Sequence, residues 1–132
     1  MKKDRILNPN IIWAIASIGH TEYLCISDCG LPIPTGVQVV DVSIRAGLPS
    51  FIDLLEAVSE ELVVESIVTA TEMDETNPAL VKQIHHILGE NIKHEKITHQ
   101  EFKQKVANAK FVIRTGETTP YANIILVGGV NF

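Results

Sequence analysis

The hydrophobic and polar positions of this chain follow two different periods, which predict helices and strands in turn. Apolar residues recur at helical spacing in four segments: Ile11, Ile12, Ile15 and Ile18; Phe51, Leu54, Leu55 and Val58; Leu80, Val81, Ile84, Ile87 and Leu88; and Phe102 with Val106. Short apolar runs predict strands over residues 23–27, 38–42, 62–70, 93–97, 110–115 and 123–127. This alternation indicates an α/β fold, a layered α/β/α domain with a central mixed, largely parallel sheet. The length of 132 residues is typical of a single domain, which we expect to span residues 1–132.

Polar residues and glycines mark where the predicted helices begin and end. Four starts have a capping pattern: Asn8-Pro9, Asn77-Pro78, and the capping-box pairs Ser50/Asp53 and Thr98/Glu101. Gly19 is expected to end the first helix in the left-handed conformation, and Gly89 is expected to end the third helix. His20 is therefore expected at the C-terminus of the first helix.

Charge and cysteine content limit the classes of partner. The formal net charge is −5 and no Lys-rich or Arg-rich run occurs, so neither nucleic acid nor an anionic membrane is an expected partner. No apolar run approaches the ~20 residues that a membrane-spanning helix needs. Cys25 and Cys29 lack the CxxC spacing of redox and zinc sites, and Cys25 is expected to be buried in its strand. We therefore expect a reduced, cytoplasmic protein.

The five histidines are the first candidates for chemistry. His85, His86 and His94 lie on a helix or in a charged run, where we expect them to be solvated. No pair has the spacing of a zinc site, so no metal is expected. A helix C-terminus favours the protonated ring of His20, whereas the first turn of a helix favours the neutral ring of His99. Such a pair suits acid–base catalysis, but spacing alone favours two histidines that make local hydrogen bonds.

Polar residues that follow strands are the candidates for ligand binding. Ligands of such sheets collect at the carboxyl ends of strands, where Asp28 and the loop 116–121 can face one crevice. Asp28 either orients His20 or binds a substrate hydroxyl, or it closes an Asx-turn, and these interpretations are equally supported. Tyr121 and Asn123 offer a phenol and an amide, although a packed loop is the commoner case. The set lacks Arg and Lys, which favours a neutral, hydroxyl-rich ligand and no cofactor.

Ordered motifs along the whole chain resemble those of a known family. The motifs are Met1-Lys2-Lys3 with Leu7-Asn8, Gly19-His20-Thr21, Ser27-Asp28-Cys29-Gly30-Leu31-Pro32-Ile33-Pro34, Gly47-Leu48-Pro49-Ser50-Phe51, Thr98-His99-Gln100-Glu101-Phe102-Lys103, Val112-Ile113-Arg114-Thr115-Gly116-Glu117 and Pro120-Tyr121-Ala122-Asn123-Ile124-Ile125-Leu126. On these motifs the chain resembles the ribose pyranase/fucose mutarotase family, and its ribose branch in particular. Cys29 departs from the usual alanine of the family, and the segment around 89–96 is shortened.

The resemblance implies an isomerase without a cofactor that interconverts the β-pyranose and β-furanose forms of D-ribose. It implies the following roles: His20 as proton donor, and Asp28, His99, Tyr121, Ala122 and Asn123 as sugar-binding residues. It also implies a homo-oligomer, a homodecamer of two stacked pentamers, with sites between neighbouring subunits.

Ring exchange needs a proton on the ring oxygen and removal of the proton from the anomeric hydroxyl. We expect His20 to protonate the ring oxygen while Asp28 holds it in place, and His99 or a bound water to take the anomeric proton. The alternatives are a mutarotase for fucose or another monosaccharide, a non-catalytic sugar-binding accessory of ribose transport, and a structural oligomer. The presence of His20 beside Asp28 favours catalysis, because binding a neutral sugar needs no titrating group.

Overall fold

The computed structural model describes residues 1–132. In chain order the elements are α1 (Pro9–Ala16), β1 (Tyr23–Ser27), β2 (Gln38–Asp41), α2 (Phe51–Ser59), β3 (Val64–Ala70), α3 (Thr71–Thr76), α4 (Pro78–Leu88), β4 (Lys93–Ile97), α5 (His99–Val106), β5 (Phe111–Arg114) and β6 (Ile124–Gly128). None of these helices has the length and apolar character that crossing a membrane requires.

The six strands form one sheet in the order β2-β5-β1-β6-β3-β4. β1 and β2 pair parallel with β5, and β3 pairs parallel with β4. β6 runs antiparallel to both of its neighbours, β1 and β3. The predicted mixed, largely parallel sheet is therefore confirmed. One edge of the sheet, here called the carboxyl edge, holds the ends of the five parallel strands and the start of β6; the opposite edge is called the amino edge.

Helices cover both faces of this sheet, as predicted. Strand residues alternate between the faces, so Leu24 and Cys25 of β1 belong to different clusters. On one face, α1, α2 and α4 pack in the larger cluster, which contains the fully buried Phe51. On the other face, α5 buries Phe102 and Val106 in the smaller cluster. Burial of each such side chain stabilises the fold by about 1.5–3 kcal/mol, and together the clusters hold the strand ends in place.

The predicted capping patterns are confirmed at all four helix starts. The Asn8 side chain accepts from the backbone N–H groups of Asn10 and Ile11, and the Asn77 side chain accepts from that of Leu80. Both capping boxes are closed, Ser50 with Asp53 and Thr98 with Glu101. Gly89 ends α4 with φ 108°, as predicted. The second capping box matters for the site because it fixes the start of α5, where His99 lies.

The end of α1 differs from the prediction. α1 stops at Ala16, and the hydroxyl of its C-cap Ser17 donates to the carbonyl of Trp13 over 2.7 Å. Gly19 does not adopt the left-handed conformation; Thr21 does, with φ 69°. His20 lies beyond the last turn of α1, and the effect of a helix dipole falls off within that turn. The helix-end argument for a protonated His20 is therefore wrong.

α3 is a helix that the hydrophobic pattern does not predict. Its only buried residue is Met73, and no side chain caps its start. A single apolar residue gives no helical period, so the sequence showed no sign of it.

Candidate active site

A cavity of about 360 Å³ lies at the carboxyl edge of the sheet. Asp28 follows β1, His99 begins α5, and Tyr121 lies in the loop between β5 and β6; all three line the cavity. The predicted meeting of Asp28 with the loop 116–121 is confirmed. The lining contains no lysine or arginine, so the cavity offers hydroxyl-binding groups without a cation for a phosphate or carboxylate.

Four hydrogen bonds with Gly30, Leu31 and Asn123 hold Asp28 at the end of β1. Its Oδ1 accepts from the backbone N–H groups of Gly30 and Leu31, at 2.9 Å and 2.8 Å. Asn123, only 2 % exposed, donates from Nδ2 to Asp28 Oδ2 over 3.1 Å and accepts from the Asp28 backbone N–H over 2.8 Å. The predicted Asx-turn is thus present. The same bonds fix the direction of a carboxylate that lines the cavity.

His99 and Tyr121 pack edge to face in the lining of the cavity, with ring centroids 5.0 Å apart and planes at 78°. Tyr121 has φ 63°, a left-handed conformation, and its carbonyl accepts from the Asn123 backbone N–H over 2.8 Å. Ala122 between them is fully buried. The Nδ1 of His99 is buried and makes no hydrogen bond within the chain. A buried polar atom without a partner is costly, and the isolated chain leaves this cost uncompensated.

Glu72, which the sequence analysis missed, anchors the start of α5. Both of its carboxylate oxygens accept from the His99 backbone N–H, each at 3.0 Å. Burial opposes ionisation of Glu72, but bonds from His99 and Thr71 outweigh it and lower the pKa of the carboxyl. The carboxylate thus occupies the positive end of α5 and fixes the backbone from which the His99 ring projects.

Glu117, also missed, connects the loops that surround the cavity. Its carboxylate accepts from the backbone N–H of Phe51 at 3.0 Å and from the hydroxyl of Thr119 at 2.9 Å. Its carbonyl accepts from the backbone N–H of Cys29 at 2.9 Å. Burial opposes ionisation, but these hydrogen bonds lower the pKa of Glu117. Glu117 therefore ties the Asp28 loop and the Tyr121 loop to the start of α2.

His20 lies at the amino edge, away from the other predicted site residues. Its Nε2 is 2.9 Å from Glu65 Oε2 of β3, and it lines a different cavity with Glu61 and Gly129. The strand β1 separates His20 from Asp28. Within one chain the structure therefore groups Asp28, His99, Tyr121, Ala122 and Asn123 but does not bring His20 to them, and Asp28 does not hold His20.

The remaining histidines differ from the expectation of simple solvation. His94 is partly buried: its Nε2 is 2.6 Å from Thr69 Oγ1, and its Nδ1 is 2.9 Å from His85 Nε2. Burial first, and then the charges of Lys96 and His85, lower the pKa of His94 from 6.5 to about 4. Only His86 is exposed as expected. The burial of His94 could not be predicted from the sequence, because its partners Thr69 and His85 lie on other elements.

The two cysteines are unpaired and differ in access. Cys25 is fully buried, as expected, and burial raises the pKa of its thiol. Cys29 is exposed and lines the cavity beside Asp28. No three His, Cys, Asp or Glu side chains are grouped so as to hold a metal ion.

Comparison with known proteins gives concordant matches over the whole chain. A model of the RbsD / FucU transport protein family matches residues 1–131. A D-ribose pyranase of Halalkalibacterium halodurans is 47 % identical over 133 residues, with both chains covered in full. One from Streptococcus uberis is 46 % identical, with 98 % of each chain covered.

Two solved structures bear on the fold. Bacillus subtilis RbsD complexed with D-ribose is 43 % identical, with a TM-score of 0.94 and full coverage of both chains. A fucose mutarotase from Streptococcus pneumoniae, complexed with L-fucose, is 18 % identical, with a TM-score of 0.81 over 96 % of this chain and 95 % of that one. The second likeness extends to the fold alone.

Proposed function

This chain belongs to the RbsD / FucU transport protein family, and from that membership we propose that it is an isomerase that interconverts the β-pyranose and β-furanose forms of D-ribose. The observation that carries the proposal is the cavity at the carboxyl edge, where Asp28, His99 and Tyr121 converge without a lysine or arginine. Such a lining suits a neutral, hydroxyl-rich ligand. The similar RbsD of Bacillus subtilis was solved in complex with D-ribose.

In this proposal the carboxyl edge binds the sugar, through Asp28, His99, Tyr121, Ala122 and Asn123. The Asp28 carboxylate accepts hydrogen bonds from sugar hydroxyls, since its direction is fixed by Asn123. The His99 ring and the phenol of Tyr121, which line the same cavity, add two further polar contacts. Ala122 and Asn123 are buried next to these groups. Rigid groups of this kind lower the entropy cost of orienting a ligand.

The reaction needs proton transfer alone. The bond between the ring oxygen and the anomeric carbon breaks with its electron pair on the ring oxygen, which takes a proton from His20. The anomeric hydroxyl loses its proton, to His99 or a bound water, and becomes a carbonyl. Attack by a different hydroxyl then closes the other ring and returns the protons. A positioned acid typically contributes ~10²–10⁴-fold, and no metal or nucleotide enters these steps.

A second copy of the chain supplies His20 in this proposal. His20 and the cavity lie at opposite edges of the sheet, so a neighbouring subunit must bring its own His20 to the sugar. We propose the homodecamer of two stacked pentamers, each chain being a single D-ribose pyranase-like domain over residues 1–132. Exposed apolar side chains, among them Trp13 and Ile44, offer surface for such contacts. The unpaired cysteines support a cytoplasmic location.

Magnetisation-transfer NMR of D-ribose with catalytic amounts of protein tests the function. Wild-type protein should accelerate exchange between pyranose and furanose signals, and His20→Ala should lose about 10²–10⁴-fold of that acceleration. His86→Ala is the matched control, because His86 is an exposed histidine outside both cavities just described. The same experiment with L-fucose separates a ribose isomerase from a fucose mutarotase.

Two results would contradict the proposal. Saturable ribose binding in calorimetry without acceleration of exchange would show a binding accessory. An unchanged exchange rate in His20→Ala would exclude His20 as the proton donor.

A further inference from the structure

The proposed proton donor has a partner of its own at the amino edge of the sheet. His20 Nε2 and Glu65 Oε2 are 2.9 Å apart, and this is the only side-chain hydrogen bond that either residue makes. The neighbouring Glu61 is not an alternative, because its carboxylate accepts from the Ile6 backbone N–H at 3.2 Å. The carboxylate of Glu65 therefore serves His20 alone.

The backbone around His20 is fixed on both sides. The Gly19 N–H donates to the Glu22 carboxylate over 2.7 Å, and the Thr21 N–H donates to the Gly128 carbonyl over 2.8 Å. Thr21 is β-branched and left-handed, a conformation that costs free energy and persists only when its surroundings impose it. The His20 side chain thus projects from a loop with a defined geometry.

Two glycines at the end of β6 allow this loop and β3 to approach each other. A Cβ on Gly128 would lie 2.5 Å from the Gly19 carbonyl oxygen, and a Cβ on Gly129 would lie 3.3 Å from Glu65 Cβ. The Gly129 N–H also donates to the Val63 carbonyl over 2.8 Å. β6 separates β1 from β3 in the sheet, so side chains at these two positions would push apart the segments that hold His20 and Glu65.

From this geometry we propose that Glu65 is a positioning residue that fixes His20 in the Nε2–H tautomer and so makes Nδ1 the nitrogen that exchanges its proton with the sugar. An ionised carboxylate only accepts hydrogen bonds, so Nε2 keeps its hydrogen in both charge states of the ring. Nδ1 makes no hydrogen bond within the chain. This inference rests on the proposed function for the role of His20, but the tautomer itself does not depend on it.

The proton balance follows from this assignment. Protonated His20 gives its Nδ1 hydrogen to the ring oxygen as the ring opens and becomes the neutral Nε2–H form. When the other ring closes, the attacking hydroxyl returns a proton to Nδ1. Glu65 exchanges no proton in these steps, and its carboxylate accepts from the Nε2 hydrogen throughout. Without Glu65 the neutral ring can place its hydrogen on either nitrogen.

Nitrogen-15 NMR of histidine-labelled protein combined with the ribose exchange assay tests the proposal. In the wild type, long-range nitrogen–proton correlations should show His20 as the Nε2–H tautomer. Glu65→Gln keeps the shape but its amide can donate as well as accept, so we expect a mixture of tautomers. The maximal exchange rate should fall at least about tenfold, within the ~10²–10⁴ that a positioned acid contributes, whereas the ribose concentration at half-saturation should stay the same because Glu65 does not line the sugar cavity.

Two further variants separate this role from a purely structural one. Glu65→Asp retains an acceptor-only carboxylate and should restore both the tautomer and a higher rate than Glu65→Gln. Glu95→Gln removes an exposed carboxylate of β4 that pairs with Lys105 over 3.4 Å, and it should match the wild type in both measurements.

The outcomes distinguish this inference from the proposed function. A wild-type His20 with its hydrogen on Nδ1, or a wild-type rate in Glu65→Gln, would overturn the role of Glu65. A wild-type protein that shows the Nε2–H tautomer but no acceleration of ribose exchange would refute the proposed function and support the tautomer assignment.

Discussion

The separation of His20 from Asp28 predicts that two inactive variants restore each other's activity. β1 has five residues, and a strand rises about 3.3 Å per residue, so its ends lie roughly 16 Å apart. A general acid must come within about 3 Å of the atom that it protonates. In the proposed site, a sugar held at Asp28 therefore takes its proton from the His20 of another copy, and a chain that lacks one of these residues can still supply the other.

The size of the recovery follows from the shared site. When equal amounts of His20→Ala and Asp28→Asn chains assemble at random, about one quarter of the sites receive an intact His20 and an intact Asp28 from two subunits. A site formed within one chain would recover nothing. Wild-type chains mixed equally with chains that carry both substitutions should keep about a quarter of the activity if the site is shared, and about half if it is not.

Co-expression with two different tags, followed by purification on both, provides the mixed assemblies. Their rate is measured by ribose magnetisation transfer and compared with that of each parent. His20→Ala mixed with His20→Gln is the control and should stay inactive. Because the Asp28 carboxylate also holds its own loop, His99→Ala serves as a second partner variant. Mixed assemblies that recover nothing, together with half activity in the mixture of wild-type and doubly substituted chains, would refute the shared site.

Three further changes test the local contacts. Asn123→Ala should lower the free energy of unfolding by about 2–4 kcal/mol, because it removes a hydrogen bond to the Asp28 carboxylate and leaves the partly buried N–H of Asp28 unpaired. Urea unfolding at fixed protein concentration measures the loss. The folded-state pKa of His94, about 4, lies below its ordinary value of 6.5. The free energy of unfolding should therefore fall by about 1–2 kcal/mol as the pH drops from 6.5 to 4, a value reduced because His94 is partly exposed. Urea midpoints measured against pH should lose this part of the decline in His94→Gln. A thiol reagent should modify Cys29 and spare the buried Cys25, and ribose should slow the modification, as mass spectrometry would show.

Local patterns predicted most of the fold because they depend on neighbouring residues. The capping residues Asn8 and Asn77 and the glycine stop at Gly89 act within a few positions, and each is where the sequence placed it. The end of α1 was mispredicted because Ser17 and Thr21, rather than Gly19, end the helix and turn the chain. The antiparallel direction of β6 was not predicted, since it depends on pairing with distant strands.

Three carboxylates hold the proposed sugar site and His20 in place, and they could not be predicted from the sequence. Glu72 accepts from a residue 27 positions away, Glu117 from one 66 positions away, and Glu65 meets His20 across 45 positions. No spacing rule connects such pairs. By contrast, the grouping of Asp28 with Tyr121 was predicted because both lie at strand ends on the same edge of a parallel sheet.

The separation of the proposed sugar site from His20 also bears on the form of the assembly. The proposed sugar-binding residues lie at the carboxyl edge and His20 at the amino edge of the same sheet, so in the proposed site each subunit presents two different surfaces. When the contact between such surfaces is head-to-tail and its rotation closes, the subunits form a ring, as in the proposed pentamers. β6 begins next to Asn123 and ends at Gly128, whose carbonyl accepts from the Thr21 N–H. The strand therefore connects the proposed sugar site of a subunit with the loop that carries its own His20. In such a ring each subunit gives its His20 to the site of one neighbour and receives a His20 from the other neighbour. An isolated subunit should therefore exchange ribose no faster than water does.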